Sequence, residues 1–507
     1  MEFIRNFPFF SIILTMFAGI ISSVLPSKWA RRLCFTIVGT VLVFSLCTLG
    51  YVTRLGESVT YLMGHFPAPW GNEIRFGVLE ALMATYFSVI MLLSLLGGNA
   101  HIHTDIEASK ENLFYCITDL MMASLLALIY TNDLFTGYVF IEINTIAACG
   151  MIMIRQNGHG IVAAIRYMVM AQIGSGLFLI GVSMLYGITG QLLMVPAGEA
   201  VQEIITTGSW LIPLTIVVGL ISVGIGIKSG LYPFHTWIPE TYGYATPSAS
   251  AILSSLVSKG YIFLLIKVYC RVIGYENTAA SNVLNILYLF GVIAMIMGSV
   301  HAINQKDTRE MIAYSSVAQI GYIYMGIGLG TEAGLIAAIF HILCHSATKS
   351  LLFLSASGLY EVSGGHTDYA SLRGAGYRNR LAAAAFTVGS LSMVGFPLLS
   401  GFISKILFAE AALQSPHKML ITITALAVST ILNAMYFLRL VVTLYSADKG
   451  KGARSRYAGS FYTEELAGFT AASRVTLILM IALNLTLGMF SGFFTGAIAN
   501  GLGMFGL

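Results

Sequence analysis

The chain has 507 residues, 57% of them hydrophobic and only 10% charged. So little charge cannot cover the surface of a soluble protein of this length, which excludes a water-soluble globular fold. The formal net charge of +4 is small and spread over connecting loops, so it gives no basis for nucleic-acid binding.

Apolar stretches long enough to cross about 30 Å of hydrocarbon recur from end to end. The first, 8–25, ends in "LPSKWARR" without a small-residue cleavage site. Only Arg5 precedes it, while Lys28, Arg31 and Arg32 follow, the reverse of a signal peptide. It is expected to be an uncleaved first helix. Thirteen further spans are expected at 32–53, 78–98, 113–131, 134–154, 160–187, 211–232, 248–270, 281–303, 311–329, 333–357, 383–411, 419–446 and 474–500. The fold class is thus an all-α membrane protein of about fourteen transmembrane helices. The longest loops are 54–77, with the turn-rich "FPAPWGNE", and 447–473, which is basic and polar.

The placement of lysine and arginine sets direction. Loops after odd-numbered spans carry Lys28, Arg31, Arg32, Lys110, Arg155, Lys306, Arg309, Arg373, Arg378, Arg380, Lys449, Lys451, Arg454 and Arg456. The N-terminus and the other loops carry only Arg5, Arg54, Arg75, Arg271 and Lys418. Odd-numbered loops are therefore expected in the cytoplasm and both termini outside, in a multi-pass protein of the cell membrane. The six cysteines (Cys34, Cys47, Cys116, Cys149, Cys270 and Cys344) lie in apolar stretches with no metal-ligand spacing. They read as small buried hydrophobes, not as a disulfide or cluster framework.

Eight basic residues fall within or beside spans. Arg166, Lys267 and Arg474 are near enough to span ends to snorkel, and Arg439 fits either reading. Lys228, Lys259, Lys349 and Lys405 are not. A central lysine costs roughly 2.5–3.5 kcal/mol, so four cost on the order of 10 kcal/mol unless water, pairing or neutralisation relieves them. Low-dielectric surroundings favour a neutral amine, so a row of such groups can gain and lose protons as a relay. Static interhelical glue is the bland alternative.

Span five holds one internal carboxylate, Glu142, for which Lys228 is the obvious partner. Asp133, in the turn before that span, reads more readily as a helix cap. Asp119 falls early in span four. Span eleven reads "IFHILCHSATKSLLFL", placing His341, His345 and Lys349 at i, i+4 and i+8 on one face over about 12 Å. Histidine suits proton passage because it titrates between pH 5 and 8. A zinc site is an alternative reading of the histidine pair, but no carboxylate shares that face. Ordinary interhelical hydrogen bonding is another.

Two prolines break the chain beside these lysines, one just after the seventh expected span and one inside the twelfth. Lys228 precedes Pro233 in "KSGLYP", and Lys405 follows Pro397 in "GFPLLSGFISK". Such breaks are tolerated in a membrane only where protein or water fills them. One lysine precedes its break and the other follows, which suggests two halves read in opposite senses.

Together, "APWGNEIRF", "KSGLYPFHTWIPE", "SAILSSLVSKG", "IAYSSVAQIGY", "HILCHSATKSLLFLSASG" and "GFPLLSGFISK" resemble the antiporter-like, proton-translocating subunits of the respiratory complex I, Mrp antiporter and membrane-bound hydrogenase superfamily. The resemblance implies inverted five-helix repeats at 113–272 and 281–446, with broken helices seven and twelve. Helices one to three (1–112) would precede them, and a basic loop with helix fourteen (447–507) would follow. It implies that Glu142 and Lys228 form a coupled pair, that Lys259 is the central lysine and that Lys405 is the exit lysine. His341 and His345 would be the span-eleven histidines, and His235 the loop histidine after the first break. Lys405 stands where one complex I type usually has glutamate. Tyr242, in "ETYGYATP", stands where histidine is frequent, and Val78 where aspartate is. These departures point to an Mrp D-like subunit or its counterpart in a hydrogenase or related reductase.

The expected function is proton translocation, with sodium exchange as an alternative coupling, within a complex of several membrane subunits. The chain itself is expected to carry no metal and no redox cofactor. The competing expectations are a structural membrane anchor that moves nothing and a stand-alone solute carrier.

Overall fold

The computed structural model describes residues 2–66, 71–275, 277–446 and 470–505. Lys449, Lys451, Arg454 and Arg456, which carry part of the orientation signal, lie outside the described residues, as do Pro67 to Trp70 of the turn-rich loop. Nearly everything described is helical.

The helices run α1 (Phe7–Val24), α2 (Ser27–Leu55), α3 (Val78–Asp105), α4 (Glu111–Tyr130), α5 (Leu134–Met153) and α6 (Gly158–Thr189). A short helix α7 (Met194–Thr207) then precedes α8 (Leu211–Ser229) and α9 (Ile238–Tyr244). Next, α10 (Pro247–Ile252) and α11 (Ser258–Val268) continue through π-helical turns at Leu253–Val257 and Tyr269–Ile273. The second half holds α12 (Thr278–Asn304), α13 (Thr308–Gly328), α14 (Glu332–Glu361), α15 (Ala375–Arg378), α16 (Arg380–Val394), α17 (Ser400–Leu413) and α18 (Pro416–Leu444). Helices Ala471–Met489 and Ser491–Gly503 close the described chain.

Among the described residues, twelve helices are long and apolar enough to cross a membrane. Two expected spans are not among them. α13 has the length, but its Ser, Gln, Tyr and Gly content makes it less apolar, and it is buried along nearly its whole length. The expected span 383–411 is two helices, α16 and α17, each too short to cross alone. The last expected span divides at Phe490. The short helices α7, α9 and α15 lie outside every expected span, as does an antiparallel hairpin of β1 (Val59–Leu62) and β2 (Glu73–Phe76) within the loop read as turns.

Connections gather at two ends. At one, the Arg155 guanidinium pairs with Asp105 (3.4 Å) and donates to the Tyr244 carbonyl (3.3 Å), and Arg309 donates to the Gly243 carbonyl (3.4 Å). At the other, the Asn132 amide donates to the Glu73 carbonyl, and Met194 N–H donates to the Asn132 carbonyl. Ser415 and Lys418 donate there to the carbonyls of Leu329 and Gly328. Among the described residues, each of these contacts joins two odd-numbered or two even-numbered connections.

α6 and α8 touch backbone to backbone. A Cβ on Gly224 would stand 2.6 Å from the Gly174 carbonyl oxygen and 2.8 Å from Phe178 N. Gly224→Val is therefore expected to lower stability by about 1–3 kcal/mol, read as a lower melting temperature of the detergent-solubilised protein. The same approach matters for function, because Gly174 also borders the Lys228 stem (3.0 Å from a built Cβ to Cγ).

Candidate functional site

Both broken helices exist as helix–connector–helix units. α8 stops at Ser229 with Gly230 in the left-handed region (φ +78°), and the chain crosses Pro233 before α9 begins. α16 stops at Val394 with Gly395 at φ +93°, and α17 starts at Ser400 after Pro397. Glycine supplies both reversals because a side chain there would be strained.

Lys228, at the end of α8, is 1% exposed. Its ammonium donates to the Thr145 hydroxyl on α5 and lies 5.5 Å from the Tyr261 ring centroid. The expected partner Glu142 sits one turn before Thr145. It makes no ion pair with Lys228 and instead accepts from Gln172 Nε2 on α6 (3.0 Å). The carboxylate is still within electrostatic reach of the ammonium. The structure thus joins the two residues through the α5 face and not through direct contact.

Lys259 is fully buried with no carboxylate beside it. Its ammonium folds back onto the Ser254 carbonyl in the preceding π-helical turn. Tyr261, two residues on, faces Lys228 and donates to Asn144 Oδ1 (2.8 Å). Lys259, Lys349 and His341 all lie within electrostatic reach of His345.

The i, i+4 spacing on α14 does stack the histidines. The rings of His341 and His345 are 6.0 Å apart and 3° from parallel. His341 Nδ1 bonds Ser404 Oγ at 2.7 Å, and its ring stacks on Tyr322 at 5.3 Å. Lys405 lies across Tyr322 at 5.9 Å and donates to the Val394 carbonyl (2.6 Å) and the Thr430 hydroxyl (2.9 Å). Lys349 donates to the Ile312 carbonyl (2.7 Å) and to Ser315 on α13. Ring stacking and electrostatic reach thus link Lys259, His345, His341 and Lys405 in one file, with Lys349 in reach of its first two members.

Both ring nitrogens of His345 and Nε2 of His341 are buried without a protein partner. A buried polar atom without a hydrogen-bond partner costs about 1–3 kcal/mol, so these three nitrogens favour a polar group beside them.

Other expected residues sit apart from the file. Asp133 caps α5, its carboxylate accepting from Thr136 N–H at 2.5 Å. His235, in the first connector, stacks on Tyr232 (4.9 Å) and lies tilted against His301 of α12 (5.8 Å). Asp119 is buried near the middle of α4 and accepts from Ser22 on α1 at 3.2 Å.

Three sequence readings need correction. Lys267 does not snorkel: it is fully buried and donates to the carbonyls of Ile129 (2.8 Å) and Thr131 (2.7 Å) at the α4 terminus, where a cation suits the helix dipole. Arg271 is no loop cation but half of a buried ion pair with Glu80 of α3, a carboxylate that its sequence position does not single out. Cys47 is exposed on α2 and not buried. Arg166 and Arg474 are exposed as expected of residues near span ends, and Arg166 pairs with Glu240.

Fold and site define a multi-pass helical membrane protein with two interrupted helices around a buried file of basic side chains. The family described as "NADH:quinone oxidoreductase/Mrp antiporter, TM" matches residues 131–432, more than half of the chain, and the chain belongs to that family. The N-type subunit of NADH-quinone oxidoreductase from Desulforudis audaxviator is 31% identical over 395 residues, covering 77% of this chain and 76% of that one. The D-type Na(+)/H(+) antiporter subunit of Alkalihalophilus pseudofirmus is 27% identical over 455 residues, covering 90% and 87%. A chain of the Mrp complex from Dietzia sp. DQ12-45-1b has the same fold, with a TM-score of 0.85 at 22% identity over 99% of this chain and 97% of that one.

Proposed function

We propose that the chain is the ion-translocating subunit of a multi-subunit complex in the cytoplasmic membrane. Protons pass along Lys228, Lys259, His345, His341 and Lys405, with Glu142 setting the proton affinity of Lys228 through the α5 face. Partner membrane subunits supply the drive, either as redox chemistry or as exchange against sodium, and any redox centre belongs to them. The observation that carries this reading is the buried file itself, in which four titratable groups and three unpartnered nitrogens adjoin without a carboxylate to neutralise them.

α13 and the α16–α17 pair are read as crossings ten and twelve, giving fourteen crossings. The separation of odd and even connections supports that count. The five-helix repeats are placed at 113–272 and 281–446, flanked by 1–112 and 447–507, with the basic, odd-numbered connections in the cytoplasm.

The experiment is Lys228→Ala and Glu142→Ala in membrane vesicles containing the assembled complex. Translocation should be lost with assembly intact. Normal transport defeats the proposal, and lost assembly preceding any transport defect favours an anchoring role.

A further inference from the structure

The helix Ala471–Met489 lies beyond the residues matched by the family and turns one face to the second break. Oδ1 of Asn484 accepts hydrogen bonds there from Thr348 (2.9 Å), Ser400 (3.0 Å) and Ser392 (3.2 Å). Thr348 belongs to α14, between His345 and Lys349. Ser392 lies in the last turn of α16, and Ser400 opens α17. One oxygen therefore ties both lips of the break to the histidine helix. All four side chains are at most 2% exposed, so no water competes from outside.

Gly488, one turn further on, admits the backbone of the break. A Cβ there would collide with the Leu398 carbonyl. Leu398 itself has φ +72°, a left-handed conformation that a branched residue holds only when its surroundings impose it. The same break provides the Val394 carbonyl that receives Lys405, and Gly395 abuts the Lys405 stem (3.0 Å from a built Cβ to Cδ). The place of the Lys405 ammonium thus follows from the conformation of 394–400, which the last long helix fixes from the far side.

We propose that Asn484, with Gly488, is a positioning residue for Lys405: its carbonyl oxygen holds the break in the geometry that aims the ammonium at Val394 and towards His341. This inference rests on reading Lys405 as part of the translocation path.

The test measures proton translocation per assembled complex in vesicles. Asn484→Leu keeps the branched four-atom side chain and removes the acceptor, and should lower turnover roughly tenfold or more. Asn484→Asp keeps an accepting oxygen and should retain most of the turnover. Ser473→Ala, on the same helix but bonded to the Gly97 carbonyl (2.9 Å), should leave turnover unchanged. If Asn484→Leu does not assemble, Ser392→Ala combined with Ser400→Ala removes two of the donors and should give the same loss. Unchanged turnover per complex in the deciding variant, or equal damage from Leu and Asp, overturns the positioning role. Lys405→Ala is run alongside: normal turnover there overturns the path reading instead.

Discussion

Lys259→Met is expected to stop proton translocation in vesicles while the complex still assembles. Lys259 has no carboxylate partner, and its ammonium rests on a single backbone carbonyl. Methionine has nearly the same shape and no charge, so the substitution removes a desolvation penalty and leaves no partner ion stranded. Stability should therefore be unchanged or slightly higher. The path, in contrast, loses the group between Tyr261 and His345. Losing a positioned proton acceptor lowers rates by about 10²–10⁴-fold, so residual flux should fall at least about a hundredfold. Dye-quenching assays of the proton gradient, normalised to the subunit by immunoblot, separate this from loss of protein. Flux within a few-fold of wild type would mean that Lys259 is glue.

The largest effect on stability is expected at Arg271. Arg271→Leu strands Glu80, which is fully buried and also accepts from Gly77 N–H at 2.9 Å to cap α3. Breaking a buried pair from one side costs about 3–5 kcal/mol, because the remaining charge has nowhere to go. Arg271 also covers the Phe505 ring at 4.1 Å, so the end of the described chain should loosen with it. A thermal-stability assay on detergent-solubilised protein should show a clear loss for Arg271→Leu. The double variant with Glu80→Leu should recover much of it, since two apolar groups need no partners. Equal damage from the single and double variants would show that packing, not charge pairing, dominates there.

Much of this fold was legible because a membrane enforces a simple code. An apolar run of sufficient length must be a helix, and it must end where polar residues collect. The fourteen expected runs each correspond to helical segments. The hairpin and α7 were missed for the same reason: both lie in connectors, where hydropathy carries no period long enough to read. The site was half legible. Lys228, Lys259 and Lys405 stood out as charges without excuse, and the i, i+4 rule placed His341 over His345. What sequence could not supply was the partner. Glu142 and Lys228 are obvious mates on paper, yet Thr145, three residues along the same helix, takes the hydrogen bond. Arg271 read as a loop cation and Glu80 was not singled out at all, because a residue near a span end reads as solvated until another helix covers it. Asn484 carried no signal at all, since a lone amide on an apolar helix gains meaning only from the three hydroxyls it meets.

Proton passage by the proposed route needs a wet file across the middle of the membrane. An experimental structure of the assembled complex, sharp enough to show ordered water, tests it most directly. Water molecules should join Lys259 to His345, His345 to His341 and His341 to Lys405, each step within hydrogen-bond reach of about 3 Å. Tightly packed hydrocarbon between these groups, with the imidazole nitrogens left dry, would contradict it.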